Sequence, residues 1–407
     1  MSQGFTVWYV LAGIVAVGWL FVFRALASVA RRRKVLTARS HPGPWDHPPK
    51  VSVLVAAKDE EDTIETCLTT LLTQDYPNLE IIAIDDRSTD RTPDILRALQ
   101  QRAGDKLRVV TVDRLADGWF GKNNAMREGV SVSTGDWLCF IDADCRQTSP
   151  RTISVAVREA IERDIDLLTI TPVLEARSTW ERIIQPLCSA ILIVRFRPSR
   201  ANRRRSSIAY ANGQFMLFSR RCYDAIGGHH AVRNRINEDI HLAKAVKGDG
   251  HKLRVMENQD LYQTRMYRTP REAWRGWSRI YHGCFESIPR LLAVAASTLC
   301  FIILPWVALV AAVIGTCAAD GTDASRPWAT AALLTAIAVA ALQIAMARFY
   351  HTFLRFDRRW SLTCVVGAIV AVGMLGSAML KTIGATTTTW RGTTYRRDRV
   401  EEAAEHA

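Results

Sequence analysis

The sequence predicts an α/β domain with a mostly parallel central sheet, flanked by apolar segments long enough to cross a membrane. Three observations support this prediction. Between residues 51 and 142, short apolar runs alternate with stretches of helical periodicity. The loops that join them are short, which favours parallel strands with helices on both faces of the sheet. Outside this region lie four runs without a charged residue, each reaching about the 20 residues that a transmembrane helix needs.

The predicted strands share one feature: each is a short run rich in apolar and β-branched residues. Such a run is too short for a buried helix and fits a strand that is buried on both faces. The predicted strands are residues 51–57, 79–85, 107–112 and 137–142. Between the strands, apolar residues recur at helical spacing, as Ile64, Leu68 and Leu71 do. The predicted helices are residues 62–73, 92–102 and 123–132.

The uncharged runs predict membrane helices, because a buried helix of a soluble domain is usually shorter and keeps a polar stripe. They cover residues 2–23, 291–319, 327–347 and 361–380. The basic cluster 31–34 follows the first run directly, and the positive-inside rule places the domain after it in the cytoplasm. We therefore expect an integral, multi-pass protein of the inner or plasma membrane with a cytoplasmic α/β domain.

These features divide the chain into parts. The predicted parts are an N-terminal transmembrane anchor (1–30), a basic and Pro-rich linker (31–50), the α/β domain (51–290), a membrane region with about three hydrophobic helices (291–383) and a polar basic tail (384–407). If all the late helices cross the membrane, the basic tail lies outside, against the positive-inside rule. The alternative is that one late run is re-entrant or interfacial, and the sequence leaves this question open.

The net charge of +13 does not by itself indicate a nucleic-acid-binding protein. Basic residues cluster beside the apolar runs, at 31–34, 348–359 and 391–399, where anionic lipid headgroups explain their position. The sequence has neither zinc-finger spacing nor another known nucleic-acid-binding motif. We therefore expect the membrane, and no nucleic acid, as the partner of these residues.

Acidic residues stand where the predicted strands end. They are Asp59 and Glu60 after the first strand, Asp85 and Asp86 at the end of the second, and Asp142 and Asp144 at the end of the fourth. The carboxyl ends of parallel strands form the ligand-binding edge of such a sheet. Neither Gly-x-Gly-x-x-Gly nor a Walker-type Gly-Lys-Ser/Thr follows a strand, which argues against dinucleotide and ATP sites of those types.

The pair Asp142 and Asp144 has two interpretations. Two carboxylates this close can bind a hard cation such as Mg²⁺ or Mn²⁺, which takes oxygen ligands and bridges to phosphate oxygens. In the alternative, the pair belongs to a surface turn and only satisfies backbone groups. Its position at the end of an apolar strand favours the metal site, because the strand delivers the pair to the ligand-binding edge.

Five motifs together resemble the family 2 glycosyltransferases, which are inverting enzymes with the GT-A fold. The motifs are VLVAAKDE (53–60), IDDRSTD (84–90), KNNA (122–125), DAD (142–144) and NED (237–239). The resemblance covers about residues 51–281, and the order and spacing of the motifs carry it. The flanking membrane segments are similar to those of the branch with ceramide glucosyltransferases and bacterial hopanoid or carotenoid glycosyltransferases.

The resemblance implies a role for each of these residues. A nucleotide-sugar donor would contact Asp59, Glu60, Asp85, Asp86, Lys122, Asn124, Asp142 and Gly213. Asp144, with Asp142, would hold a divalent ion, Mg²⁺ or Mn²⁺. Asp239, beside Glu238, would be the general base that takes the proton of the acceptor hydroxyl. Without the resemblance, a helix start, where acids are favoured by the helix dipole, explains Glu238 and Asp239 better than catalysis does.

Residues 265–279 resemble the family's Gln/Arg-x-x-Arg-Trp segment, which closes over the diphosphate and the acceptor. The residues in question are Arg265, Arg268, Trp274 and Arg275, but Thr269 stands where the family has its Trp. An amphipathic helix at the membrane surface explains the same residues equally well. Both interpretations stay open.

The resemblance therefore implies a membrane-bound inverting glycosyltransferase. It would move one sugar from a cytoplasmic nucleotide-sugar, a UDP-sugar as the first candidate, to a lipid or lipid-linked acceptor. The first alternative is a processive polysaccharide synthase, which the incomplete Arg-x-x-Arg motif and the few membrane segments disfavour. The remote alternative is a non-catalytic nucleotide-sugar-binding membrane protein, which would need no general base.

Overall fold

The computed structural model describes residues 2–318, 326–390, 393–396 and 399–400. The chain forms two compact units that are interleaved in sequence. The α/β unit comprises Arg33–Glu175, Phe196–Met266 and Ile383–Ala407. The helical unit comprises Met1–Arg32, Ala176–Arg195 and Tyr267–Thr382.

The strands are, in chain order, β1 (Val35–Leu36), β2 (Val51–Ala57), β3 (Leu79–Asp86), β4 (Leu107–Val112), β5 (Trp137–Ile141), β6 (Cys145–Gln147), β7 (Leu167–Thr171), β8 (Val173–Leu174), β9 (Phe215–Ser219), β10 (Leu253–Asn258), β11 (Tyr262–Thr264), β12 (Thr388–Trp390), β13 (Thr393–Arg396) and β14 (Arg399–Val400).

The α-helices are, in chain order, α1 (Ser2–Arg32), α2 (Ile64–Leu72), α3 (Thr92–Ala103), α4 (Gly121–Ser131), α5 (Thr152–Glu162), α6 (Thr179–Phe196), α7 (Pro198–Ala201), α8 (Arg220–Ala225), α9 (Gly228–Ala231), α10 (Glu238–Gly248), α11 (Pro270–Phe285), α12 (Ile288–Thr298), α13 (Leu304–Ala318), α14 (Arg326–Phe353) and α15 (Cys364–Ile383). Two 3₁₀ segments, Gly104–Lys106 and Arg358–Thr363, and a π segment, Leu299–Ile303, complete the helical structure.

The α/β unit is built on an eight-stranded sheet in the order β1-β10-β7-β9-β5-β2-β3-β4. Its pairs are parallel, except that β9 runs antiparallel to both of its neighbours. Side chains of a strand point alternately to the two faces of a sheet. Accordingly, Val53 packs in the core beneath α2, α3 and α5, whereas Leu54 packs in the core beneath α4 and α10. The predicted fold class, a mostly parallel α/β sheet, is confirmed.

The predicted strands and helices agree with the observed ones to within about two residues at each end. The first and third predicted strands coincide with β2 and β4, and the second extends by one residue to Asp86. This agreement follows from burial, since β2 and β3 are almost wholly buried and therefore read as apolar runs.

Several elements of the α/β unit were not predicted. The predicted linker 31–50 contains β1, which pairs in parallel with β10. A second sheet, β6-β11-β8, lies beside the end of β5, and the tail forms a third, β12-β13-β14. These strands have two to four residues, too few for a periodic pattern to be recognised.

In the helical unit, the described residues contain three segments long and apolar enough to cross a membrane: Ile288–Ala318, Arg326–Phe353 and Arg358–Ile383. In α1, the corresponding apolar stretch of described residues, Gly13–Arg24, is shorter. Helices α6 and α11 also belong to this unit, although the sequence suggested one domain over residues 51–290. They do so because they pack on α15, where Cys188 of α6 contacts Met374 and His282 of α11 bonds Thr382.

Candidate active site

The acidic residues after β2 and β3 hold two neighbouring loops together. The backbone N–H of Thr89 donates to Asp59 Oδ1 at 2.7 Å. The backbone N–H of Glu60 donates to Thr92 Oγ1 at 2.8 Å, and its carboxylate accepts from Thr63. Both loops lie at the carboxyl edge of the sheet because β2 and β3 are parallel neighbours.

Asp85 and Asp86 end β3 and are both buried. Asp85 accepts a hydrogen bond from the backbone N–H of Ser88. Asp86 accepts two hydrogen bonds from Arg87, at 2.8 and 3.0 Å. The end of β3 therefore holds two buried carboxylates whose positions are fixed by the loop that follows.

Lys122 lies at the centre of a cluster of ion-paired side chains. It is the second residue of α4, and its Nζ lies 2.6 Å from Asp142 Oδ1 and 2.6 Å from Glu238 Oε1. The three side chains come from three separate parts of the sequence. The structure thus brings together residues from three of the predicted motifs in one ion-paired cluster.

Burial and charge act against each other in this cluster. Burial alone would lower the pKa of Lys122, but Asp142 and Glu238 outweigh it and raise that pKa. Burial alone would raise the pKa of Glu238, but Lys122 lowers it overall. Lys122 is therefore a cation and Glu238 an anion at neutral pH.

Asp239 lies beside this cluster, at the start of α10. Its Oδ2 accepts a hydrogen bond from the backbone N–H of Gly213 at 2.9 Å, and its Oδ1 accepts one from Ile240 at 2.7 Å. Burial, followed by the negative charge of Glu238, raises the pKa of Asp239 to about 7. A carboxyl group with this pKa can accept a proton near neutral pH, as a general base must.

Because Gly213 has no side chain, its backbone can lie close to Asp239 and to the Lys122 cluster. A Cβ at this position would lie 3.2 Å from Lys122 Nζ, 3.4 Å from Glu238 Oε1 and 3.5 Å from Asp239 Oδ2. A side chain here would be tight against Lys122 Nζ and in contact with both carboxylates. The predicted site residue Gly213 therefore lies in direct contact with the cluster, immediately before β9.

Asp144 lies next to Asp142 at the end of β5 and is partly buried. Burial, then the charges of Asp142 and Glu60, raise the pKa of Asp144 to about 7, although the Thr264 hydroxyl and Lys122 oppose this. Carboxylates that repel one another in this way are the oxygen donors that a hard divalent cation prefers. The residues present therefore fit a Mg²⁺ or Mn²⁺ ion.

Some predicted site residues lie in other surroundings. Asn124 is buried; its Nδ2 donates to the Arg114 carbonyl, and its Oδ1 accepts from Arg127. These bonds join α4 to the preceding loop. Arg265 follows β11 in the α/β unit, whereas Arg268, Trp274 and Arg275 belong to the helical unit. Their predicted roles at the diphosphate or the acceptor stay predictions.

Two features of the site were missed by the sequence analysis. His229 is buried near Glu238 and Lys122; burial lowers its pKa to about 4, and its Nδ1 pairs with the Tyr223 hydroxyl at 2.8 Å. The sequence feature that could have drawn attention to His229 is the glycine pair directly before it, Gly227 and Gly228. Tyr395, from the tail, contacts the first turn of α4. No local sequence pattern in the tail predicts that contact.

The α/β unit has the GT-A fold, which is a fold of glycosyltransferases. A solved mannosyltransferase from Pyrobaculum calidifontis superposes with a TM-score of 0.53, covering 93% of this chain and 99% of that one at 20% identity. The model of the family described as "Glycosyl transferase family 2" matches residues 52–227. Residues 52–227 therefore match the family that the motifs predicted.

Curated relatives match parts of the chain. A 4,4'-diaponeurosporenoate glycosyltransferase from Staphylococcus haemolyticus is 26% identical over 229 residues, which is 55% of this chain and 60% of that protein. A beta-monoglucosyldiacylglycerol synthase from Nostoc is 38% identical over 109 residues, which is 26% of this chain and 23% of that protein. The chain thus spans less than two thirds of either relative.

Proposed function

We propose that this protein is a membrane-bound inverting glycosyltransferase. It moves one sugar from a nucleotide-sugar, a UDP-sugar as the first candidate, to the hydroxyl of a lipid or lipid-linked acceptor. The observation that carries the proposal is the position of Asp239, a carboxylate with a pKa near 7 beside the Lys122 cluster. A protein that only binds a donor has no need of such a base.

Asp239 acts on the acceptor. Its carboxylate takes the proton of the acceptor hydroxyl while the hydroxyl oxygen forms its bond to the anomeric carbon of the sugar. The bond from that carbon to the diphosphate breaks in the same step, and the nucleoside diphosphate leaves. A single displacement of this kind inverts the anomeric carbon and requires no nucleophilic carboxylate.

Lys122 acts on the leaving group. Its raised pKa keeps it cationic, so that it opposes the negative charge that grows on the diphosphate oxygens. Asp142 and Asp144 would hold the divalent ion, which supplies further positive charge to the diphosphate when bound. The Pyrobaculum mannosyltransferase was solved with GDP-Man and Mn²⁺, which supports this choice of ion.

The donor's nucleoside would lie at the other end of the cleft. Asp85 and Asp86 are buried at the end of β3, and Asp59 and Glu60 fix the adjoining loops. Carboxylates in such positions accept hydrogen bonds from base N–H groups and ribose hydroxyls. We therefore assign the base and the ribose to these four residues.

The acceptor assignment rests on the relatives and on the apolar helices. One relative is named for 4,4'-diaponeurosporenoate and another for monoglucosyldiacylglycerol. Three described helical segments are long and apolar enough to cross a bilayer. An acceptor confined to the membrane would meet a water-soluble donor at such an anchored domain.

The full-length protein in lipid nanodiscs tests the proposal. It receives Mg²⁺ or Mn²⁺, host lipids and a panel of radiolabelled UDP- and GDP-sugars. We expect label in the lipid extract, dependent on the metal, and a fall of about 10²–10⁴-fold in kcat for Asp239→Asn. The matched control is Asp249→Asn, an exposed aspartate at the far end of α10, which should retain activity.

Other outcomes would contradict the proposal in distinct ways. Label in insoluble material of high molecular mass would identify a polysaccharide synthase. Binding of a donor without transfer to any lipid fraction, unaffected by Asp239→Asn, would identify a nucleotide-sugar-binding protein. Equal loss of activity in the Asp239 and Asp249 variants would remove the assignment of Asp239 as the base.

A further inference from the structure

The tail returns to the α/β unit and buries an aromatic side chain there. Tyr395, on β13, is 1% exposed. Its ring stacks on Phe120 with the ring centres 4.1 Å apart and the planes 22° from parallel. The backbone N–H of Gly121 donates to the Tyr395 hydroxyl at 3.3 Å, although the two residues are 274 positions apart in sequence.

This contact lies beside the end of β3. A Cβ at Gly121 would lie 2.7 Å from Asp86 Oδ2, 3.2 Å from Arg87 Nη2 and 3.8 Å from the Tyr395 hydroxyl. Gly121, Tyr395 and the Asp86–Arg87 pair therefore converge on one small volume. Any side chain at position 121 would force Asp86 or Arg87 to move.

The same contact fixes the start of α4. Gly121 is its first residue, and Lys122, the next, bridges Asp142 and Glu238. On its other side, the start of α4 is held by the backbone N–H of Phe120, which donates to the Arg233 carbonyl at 2.7 Å. Tyr395 completes the support by stacking on the Phe120 ring and accepting from the next N–H.

We propose that strand β13 is part of the donor site and that Tyr395 is a positioning residue. It holds Phe120 and Gly121 against Asp86 and Arg87, and so fixes both the nucleoside end of the cleft and the helix that carries Lys122. The proposal rests on the function proposed above, because it takes Asp86 and Lys122 as donor-binding residues. It adds that donor affinity depends on the tail.

Two substitutions distinguish the ring stacking of Tyr395 from its hydrogen bond. Tyr395→Phe keeps the stacked ring and loses one hydrogen bond, so we expect the donor KM to rise about fivefold. Tyr395→Ala loses both contacts, so we expect a rise of more than about tenfold. In both variants the KM for the acceptor should stay unchanged, because the tail contacts the donor side of the cleft.

Tyr76→Phe is the matched control. Tyr76 is also a buried tyrosine of the α/β unit, and its hydroxyl donates to the Pro49 carbonyl at 2.7 Å. That contact precedes β2 and so lies at the opposite edge of the sheet from the carboxylates. The control should lower the melting temperature without changing the donor KM, which distinguishes positioning from general stability.

Hydrogen exchange at the Gly121 amide tests the contact without any activity. The amide should be protected in the full-length protein and should exchange faster in Tyr395→Ala. Unchanged exchange, or donor KM values equal to those of the control, would overturn the role of Tyr395. A wild-type protein that transfers from no donor would instead overturn the proposed function and this proposal with it.

Discussion

Glu238 and Asp239 are neighbours in the chain, yet their surroundings shift their pKa values in opposite directions. Against the effect of burial, Lys122 lowers the pKa of Glu238, whereas burial and the charge of Glu238 raise the pKa of Asp239 to about 7. A pair of carboxyl groups with separated pKa values can divide two tasks. Under the proposed function, Glu238 holds Lys122 and Asp239 exchanges the proton.

This separation predicts the pH dependence of activity. A general base works in its ionised form, so kcat should fall as the pH falls through about 7, the raised pKa of Asp239. Glu238→Gln removes a negative neighbour, which favours the ionised form of Asp239 and lowers its pKa. The acid limb of the pH–rate profile should therefore move to lower pH in this variant.

The measurement is kcat at saturating donor from pH 5 to 9, for the wild type and Glu238→Gln. Glu65→Gln, an exposed carboxylate on α2, is a control that should leave the profile in place. An acid limb that stays fixed in Glu238→Gln, or that moves to higher pH, would contradict the assignment of Asp239 as the base.

Gly213 permits a second prediction for a single residue. In Gly213→Ala, the new methyl group would lie 3.2 Å from Lys122 Nζ and 3.4 Å from Glu238 Oε1, so the cluster must shift by a few tenths of an ångström. We expect kcat to fall about tenfold while the fold is retained, because small displacements of reacting groups are costly.

Gly248→Ala is the control for this substitution. Gly248 ends α10, and an added Cβ would meet nothing within 4 Å. This variant should keep full activity, and far-ultraviolet circular dichroism should give the same spectrum for both variants. Full activity in Gly213→Ala would show that this glycine does not control the geometry of the cluster.

Much of the site was predictable because parallel strands collect their carboxyl ends at one edge. Asp59, Asp85 and Asp142 lie at or just after the carboxyl ends of strands that the apolar pattern predicted, so their place at one edge of the sheet followed from the topology. The pairing of Lys122 with Glu238 was not predictable from the pattern, since it depends on how α4 and α10 approach each other. The position of Gly213 next to the cluster likewise depends on β9.

Among the secondary structure elements, α15 packs through small residues. A Cβ at Gly367 would lie 2.6 Å from the Ile183 carbonyl oxygen of α6, which is a clash with backbone. Gly367→Ala should therefore destabilise the helical unit by about 1–3 kcal/mol, the usual cost of overpacking. Gly376→Ala, on the same helix with nothing within 4 Å, should be neutral.

Thermal unfolding in detergent, followed by the exposure of buried thiols, measures this effect. Cys188 and Cys284 are buried in the helical unit and become reactive as it opens. Equal melting temperatures for the two glycine variants would contradict the close packing of α6 on α15.

The elements also show where prediction from sequence fails. Strands β2 to β5 were predicted because each is an apolar run between short loops. Strand β9 has an apolar pattern too, but its antiparallel direction depends on pairing with β5 and β7. Helix α6 was not assigned to the helical unit because its uncharged run, residues 183–194, is too short to cross a membrane.

At the scale of the whole molecule, the tail contact constrains the membrane topology. Tyr395 packs on Phe120, so in a membrane-bound protein β13 and the α/β unit would lie on the same side of the membrane. A chain that leaves the domain and returns to it crosses the membrane an even number of times. If the protein is membrane-bound as proposed, we therefore expect that the three long apolar segments between residues 288 and 383 do not all cross.

Helix α15 is the segment that we expect not to cross. Trp274 and His282 of α11 and Ile183 of α6 contact α15 from its first turn, at Gly367, to its last, at Thr382. Both partner helices carry several charged side chains, which are costly in the hydrocarbon core. A helix that such partners contact on one face, from its first turn to its last, fits the interface, either lying there or re-entering.

This topology removes the conflict with the positive-inside rule that the sequence presents. If α13 and α14 cross as a hairpin and α15 does not, then Arg348, Arg355 and Arg358 share one side with the tail and the domain.

Epitope tags in the full-length chain test this topology in sealed vesicles of known orientation. A tag within residues 320–325 should lie on the side opposite the domain, whereas tags at residue 357 and after residue 407 should lie on the domain's side. A C-terminal tag on the same side as residues 320–325 would mean that α15 crosses, and the contact of Tyr395 with Phe120 could then not form.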